Sequence, residues 1–137
     1  MSIPFNVVAK INPQKKTQPK KYYATAHSSG EVTIRKMAKQ IAEITTVSMP
    51  DVIATLESLV MIIPRHIEEG AIVRLGELGS LRISLSSEGC DTEEEVNASK
   101  IKKAKYIFTP GSELQETLKV LKYSKVKKAA SPAPEQV

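Results

Sequence analysis

The feature that most constrains this chain is the glycine-punctuated stretch from Gly70 to Ile83, Gly-Ala-Ile-Val-Arg-Leu-Gly-Glu-Leu-Gly-Ser-Leu-Arg-Ile. Gly70 is expected to end a helix, and Gly76 and Gly79 to bend the chain between two short strands, because glycine adopts backbone conformations that other residues avoid. A second stretch, Phe-Thr-Pro-Gly-Ser-Glu-Leu at residues 108–114, predicts a strand that stops at Pro-Gly and leads into a helix. Helices and strands therefore mix in one short region.

Two amphipathic helices are predicted ahead of Gly70. Apolar residues recur at helical spacing from Ile34 to Ile44, with Thr33 as the expected N-cap. Ser48-Met-Pro-Asp starts the second helix with a capping serine, a proline in the first turn and an acidic third residue. This helix has an apolar face wide enough to pack on two sides, which favours a homodimer. The face consists of Val52, Ile53, Leu56, Leu59, Val60, Ile63 and Ile67, widened by Met61 and Ile62.

Further strands are predicted on both sides of this region. Residues 3–11 alternate in polarity and residues 21–26 form a second strand candidate, so residues 1–30 are expected to be an ordered N-terminal β extension. Residues 31–128 would form the main domain. It includes a strand at Lys100–Phe108, a helix at Ser112–Leu118, and a segment after Leu118 that either extends the helix or forms a last strand. Residues 129–137 are rich in alanine and proline and predict a disordered tail.

Composition indicates a small aliphatic core and a partition of charge. The chain has 137 residues, of which 41% are hydrophobic but only 4% aromatic, so dimerisation is one way to supply the missing stability. Residues 1–30 contain five lysines and no acidic residue, residues 31–99 contain six basic and twelve acidic residues, and residues 100–137 contain nine lysines and three acidic residues. Basic flanks around an acidic middle are typical of a protein that binds a polyanion, although lysines also keep flexible ends soluble.

No catalytic, metal or cofactor motif is present, so a non-enzyme is expected. The glycines do not form a phosphate loop, and the acidic residues 91–95 lack the spacing of a calcium loop. Cys90 with His27 and His66 gives too few ligands for a zinc site. The first residues lack the basic-then-apolar pattern typical of a secretion signal, and no apolar run approaches the length that spans a membrane, so neither is expected. The single cysteine suits a reducing cytoplasm.

The two glycine-containing stretches, with the helices ahead of them, resemble the bacterial HU and integration host factor family from about Thr33 to Leu118. The resemblance is to the longer, divergent HU-like proteins that carry added N- and C-terminal segments. It implies an α+β, HU-like fold with a helical dimerisation base, an antiparallel β-sheet and a β-arm. It also implies phosphate contacts from backbone amides at Gly76, Gly79, Gly111 and Ser112. The arm tip departs from the family, since residues 88–95 are acidic and contain neither proline nor arginine.

Two functions are compatible with these features. The first is a dimeric architectural protein of the cytoplasmic nucleoid that binds double-stranded DNA without sequence preference, through lysine–phosphate contacts. The second is an HU-fold scaffold module that has lost DNA bending and binds a protein partner. The acidic arm tip favours this hypothesis. RNA in place of DNA stays open. The residues predicted to bind DNA are Lys100, Lys102, Lys103, Lys105, Arg82, Gly76, Gly79, Gly111 and Ser112.

Overall fold

The computed structural model describes residues 1–127, so the tail predicted at residues 129–137 lies outside the described residues. The elements follow in the order β1 (Ile3–Lys10), β2 (Lys21–Ala26), α1 (Ile34–Ile44), α2 (Met49–Glu68), β3 (Val73–Arg74), β4 (Gly79–Ser87), β5 (Ile101–Pro110), α3 (Ser112–Lys119) and β6 (Tyr123–Lys125). The fold is α+β, as predicted. It divides into two compact units, Val32–Lys119 and Met1–Glu31 with residues 120–127.

Both helix starts predicted from the sequence are confirmed. The Thr33 hydroxyl accepts a hydrogen bond from the Lys36 amide at 3.2 Å, ahead of α1. The Ser48 hydroxyl accepts from the Asp51 amide at 3.4 Å and donates to the Asp51 carboxylate at 2.8 Å, ahead of α2. Each cap satisfies an amide that the helix itself leaves without a partner, which fixes where the helix begins.

Gly70 ends α2, as expected. Its φ of 81° lies in the left-handed region that favours glycine. The Gly70 amide donates to the Ile67 carbonyl at 2.9 Å, and the Ala71 amide donates to the His66 carbonyl at 3.0 Å. These two bonds form a Schellman motif, which satisfies the last helical carbonyls and turns the chain towards β3.

The core between α1 and α2 covers only part of the apolar face of α2. Ala38 is fully buried, and Val52 and Ile67 are 6% and 5% exposed. By contrast, the run Leu59–Ile62 is 40%, 55%, 61% and 45% exposed along its four residues. The middle of α2 therefore carries four apolar side chains, pointing in different directions around the helix, that its own chain leaves partly open.

The sheet of the unit Val32–Lys119 is antiparallel, with the strand order β3-β4-β5. The long β4–β5 pair keeps a regular register from Gly79 opposite Pro110 to Ser86 opposite Lys103, and a bulge follows between Ser86 and Ser87. The strand predicted to start at Lys100 starts one residue later and extends to Pro110. This pair forms a two-stranded arm beyond the short strand β3.

The other unit is a sheet with the strand order β2-β1-β6. β1 pairs antiparallel with β2 and parallel with β6, with Ile3 opposite Tyr123. Of the two structures considered after Leu118, the final strand is the one that forms, while α3 stops at Lys119. Residues 120–127 thus join residues 1–31 in one unit. The domain limits at residues 1–30 and 31–128 stay a prediction.

Candidate nucleic-acid interface

The sheet β3-β4-β5 carries its basic residues mainly on one face. Residues opposite each other in an antiparallel pair project to the same face, and successive residues alternate between faces. β4 contributes Arg82 and β3 contributes Arg74, which lies opposite Ser80. β5 contributes Lys103 and Lys105, which lie opposite serines of β4. We call these four exposed side chains, Arg74, Arg82, Lys103 and Lys105, the basic face.

The basic face has no acidic residue in its own strands. β3, β4 and β5 contain neither aspartate nor glutamate. Within residues 1–127, none of the four basic side chains forms an ion pair with a carboxylate. The same face carries the hydroxyl groups of Ser80, Ser84, Ser86 and Thr109. Uncompensated cations beside hydroxyl donors suit the phosphate groups of a nucleic acid.

The opposite face of the same sheet is apolar and largely open. Its residues are Leu81, Ile83, Leu85, Ala104, Tyr106 and Phe108. Leu85 is 60% exposed and Tyr106 is 61% exposed. Lys102 falls at the bulge and has no partner residue on β4. The structure therefore brings Arg82, Lys103 and Lys105 together and leaves Lys102 outside the regular part of the ladder.

Lys100 lies outside the strand, in a single 3₁₀ turn at Ala98–Lys100. Its Nζ is 3.9 Å from the Glu88 carboxylate, and both side chains are partly exposed to solvent. The Glu88 amide also donates to the Lys100 carbonyl at 2.9 Å, which ties the two ends of the acidic loop together. Lys100 thus has a local acidic neighbour, in contrast to the lysines of the basic face.

Two of the glycines predicted to hold phosphate, Gly79 and Gly111, are required by the close packing of the backbone. A Cβ atom on Gly79 would collide with the Thr109 carbonyl, and a Cβ on Gly111 would collide with the Glu77 carbonyl. The Gly79 amide donates to the Gly76 carbonyl, and the Gly111 amide donates to the Leu78 carbonyl at 2.9 Å. Two of the amides expected to bind phosphate are therefore engaged within the turn.

Glu77, between the two glycines of the turn, is a residue that the sequence analysis did not single out. The Ser112 hydroxyl, at the start of α3, donates a hydrogen bond to the Glu77 carboxylate. Glu113 adds a second carboxylate to the first turn of the same helix. A helix N-terminus attracts anions, and at α3 the Glu77 carboxylate lies at this end of the helix. In the sequence, the only indication of this contact is an acidic residue between Gly76 and Gly79.

The loop between β4 and β5 retains the acidic character predicted for the arm tip. Its residues Glu93–Glu95 form an exposed 3₁₀ turn. Across residues 1–127, no group of three or more His, Cys, Asp or Glu side chains is arranged to hold a metal ion. None of the helices described is long and apolar enough to cross a membrane. Cys90 is half-buried, and its Sγ lies 4.0 Å from the Glu88 carbonyl oxygen.

Comparison with known proteins finds a matching family and a solved structure with the same fold. Residues 1–125 match the profile of a family described as an HU domain fused to a winged helix-turn-helix, Ig or glycine-rich motif. A crystal structure from Bacteroides vulgatus, described as a candidate bacterial DNA-binding protein, has the same fold with a TM-score of 0.63 and 10% sequence identity. The match covers 95% of this chain and 50% of that one, so the chain spans about half the length of its structural neighbour. No curated protein matches the sequence significantly.

Proposed function

Because the chain belongs to the family of HU domains fused to winged helix-turn-helix, Ig or glycine-rich motifs, we propose that it is an HU-like architectural protein of the nucleoid. In this proposal it binds double-stranded DNA without sequence preference. The observation that carries the proposal is the basic face, where four exposed cations lie on strands that contain no acidic residue. Such a surface neutralises phosphates and does not read base edges.

The DNA-binding form is a homodimer that pairs through α2. Four consecutive apolar residues in the middle of this helix, Leu59–Ile62, are 40–61% exposed. Apolar area of this extent is stabilised by removal from water, and the core of the single chain is small. A second copy of α2 supplies the missing cover and doubles the number of phosphate-binding residues in one particle.

The salt dependence of binding to duplex DNA tests the proposal. A fluorescein-labelled duplex is titrated at several salt concentrations with the wild type, with Lys103→Ala/Lys105→Ala, and with Lys102→Ala as a control at the bulge of β5, outside the basic face. Each lost phosphate contact lowers the slope of log K against log salt by about 0.9. The double variant of a dimer should therefore lose up to about 3.6 units of slope, and the control much less.

Binding should weaken alike on duplexes of different sequence, since contacts to phosphate carry no sequence information. A matched RNA duplex in the same titration separates DNA from RNA binding. If the wild type fails to bind duplex DNA even at low salt, the proposal is wrong. If the Lys102 control loses as much slope as the double variant, DNA binding stands but the basic face is not its site.

A scaffold module is the second candidate, and the position of Glu77 favours it. This carboxylate lies at the start of α3, where it repels a phosphate, and the tip turn Glu93–Glu95 is acidic as well. The exposed apolar face of β4 and β5 would then contact a protein partner instead of DNA. Absence of nucleic-acid binding together with loss of partner binding on Tyr106→Ser would support this candidate.

A further inference from the structure

Strand β2 is a long sheet edge without the usual protection against pairing. All its residues, Lys21–Ala26, are exposed, and its outer side meets no strand within residues 1–127. The other long edge, β5, carries three lysines, a common device against edge-to-edge association. After Lys21, β2 has no charge, no proline and no bulge in its register with β1.

The hydrogen-bonding pattern shows which backbone groups of β2 face outward. The His27 amide donates to the Pro4 carbonyl at 2.9 Å, which makes this a hydrogen-bonded pair of the β1–β2 ladder. Such pairs alternate along an antiparallel ladder, so Thr25 and Tyr23 also bond to β1. The amides and carbonyls of Tyr22, Ala24 and Ala26 therefore point away from the sheet.

We propose that β2 pairs antiparallel with β2 of a second copy, around a two-fold axis that passes between the two Ala24 residues. Two conditions fix the register. The pair must obey two-fold symmetry, and the same face of both sheets must point to the same side. Both hold only when a residue lies opposite its own copy. Centring the pair on Ala24 uses all the outward groups and forms about six backbone hydrogen bonds. This contact uses neither the basic face nor α2, so it stands apart from the proposed DNA binding.

Side-chain chemistry at this register is complementary. Tyr22 lies opposite Ala26 of the second copy, and Lys21 lies opposite His27 of the second copy, so no lysines face each other. Tyr22 is 72% exposed on its own chain. The same face of the sheet has a shallow apolar depression, and Tyr22 of the second copy would cover it. The depression is lined by Ile3, Phe5, Ala24, Ala26 and Tyr123.

Cysteine cross-linking tests the register directly. In a Cys90→Ser background, Ala24→Cys places two thiols on residues whose Cα atoms lie about 5.5 Å apart, within disulfide range. Thr25→Cys is the matched control, because its two copies lie about 8 Å apart, too far for a disulfide. Under mild oxidation at micromolar concentration, the Ala24 variant should form a covalent dimer and the Thr25 variant should not. Failure of the Ala24 variant to cross-link, or equal cross-linking of both variants, overturns the proposal.

A backbone variant provides a second measurement. Ala24→Pro removes an outward amide while leaving the bonds between β2 and β1 intact, and circular dichroism checks that the strand persists. Association through β2 should weaken at least tenfold in sedimentation experiments, and unchanged association would contradict the proposal. If the α2 dimer fails to form, the cross-link at Ala24 is still expected, which separates the two interfaces.

Discussion

Replacing Val60 with aspartate should break the proposed α2 dimer while leaving the single chain folded. Val60 is 55% exposed in the middle of the run Leu59–Ile62. Valine and aspartate have similar helix propensities, so the substitution has little effect on α2 itself. Its effect should therefore fall on the surface that a second copy would cover.

The magnitude follows from the exposed fraction. Full burial of an aliphatic side chain contributes about 1.5–3 kcal/mol, so the exposed half of Val60 is worth about 1 kcal/mol on dimerisation. Two copies in a symmetric interface lose about 2 kcal/mol, and burying two unpaired carboxylates adds to the loss. The dissociation constant of the dimer should rise at least about 30-fold.

Sedimentation equilibrium over a range of concentrations measures this change, and melting temperatures at low and high concentration check it independently. A wild-type dimer unfolds at a temperature that rises with protein concentration, whereas a monomer does not. Gln40→Asp is the control, because it introduces the same charge at an exposed polar position of α1, outside the run Leu59–Ile62. A concentration-independent melting temperature for the wild type would refute the α2 dimer. Equal dissociation constants for Val60→Asp and the wild type would place the interface elsewhere.

Three further outcomes are expected. Glu77→Gln keeps a hydrogen-bond acceptor for Ser112 but removes the negative charge. Repulsion between that charge and a phosphate about 4 Å away costs about 1 kcal/mol, so the substitution should raise DNA affinity about fivefold per site. Weaker DNA binding would contradict this repulsion. Gly111→Ala should destabilise the fold by about 1–3 kcal/mol in urea unfolding because its Cβ meets the Glu77 carbonyl, whereas Gly89→Ala, with open space around it, should not. Exchanging the three glutamates of the turn Glu93–Glu95 for glutamine should leave DNA affinity unchanged or raise it in the same titration, and a loss would assign the tip a direct binding role.

Local chemistry determined the helices and the turns of this protein. The caps at Thr33 and Ser48 and the helix end at Gly70 are visible in the sequence, because each depends on residues within one turn. Strand alternation likewise placed Lys103 and Lys105 on one face, since residues two apart in a strand share a face in any register. These features need no knowledge of the rest of the chain.

Long-range pairing was decided only by the tertiary structure. Arg74 joined the basic face because β3 pairs with β4, and Glu77 met Ser112 because the glycine turn packs against the start of α3. The last strand pairs with β1 across more than a hundred residues of sequence. A strand's own sequence specifies which residues share a face, but not which strand lies beside it. That choice depends on surfaces brought together by the whole fold, which is why these contacts could not be predicted from local patterns.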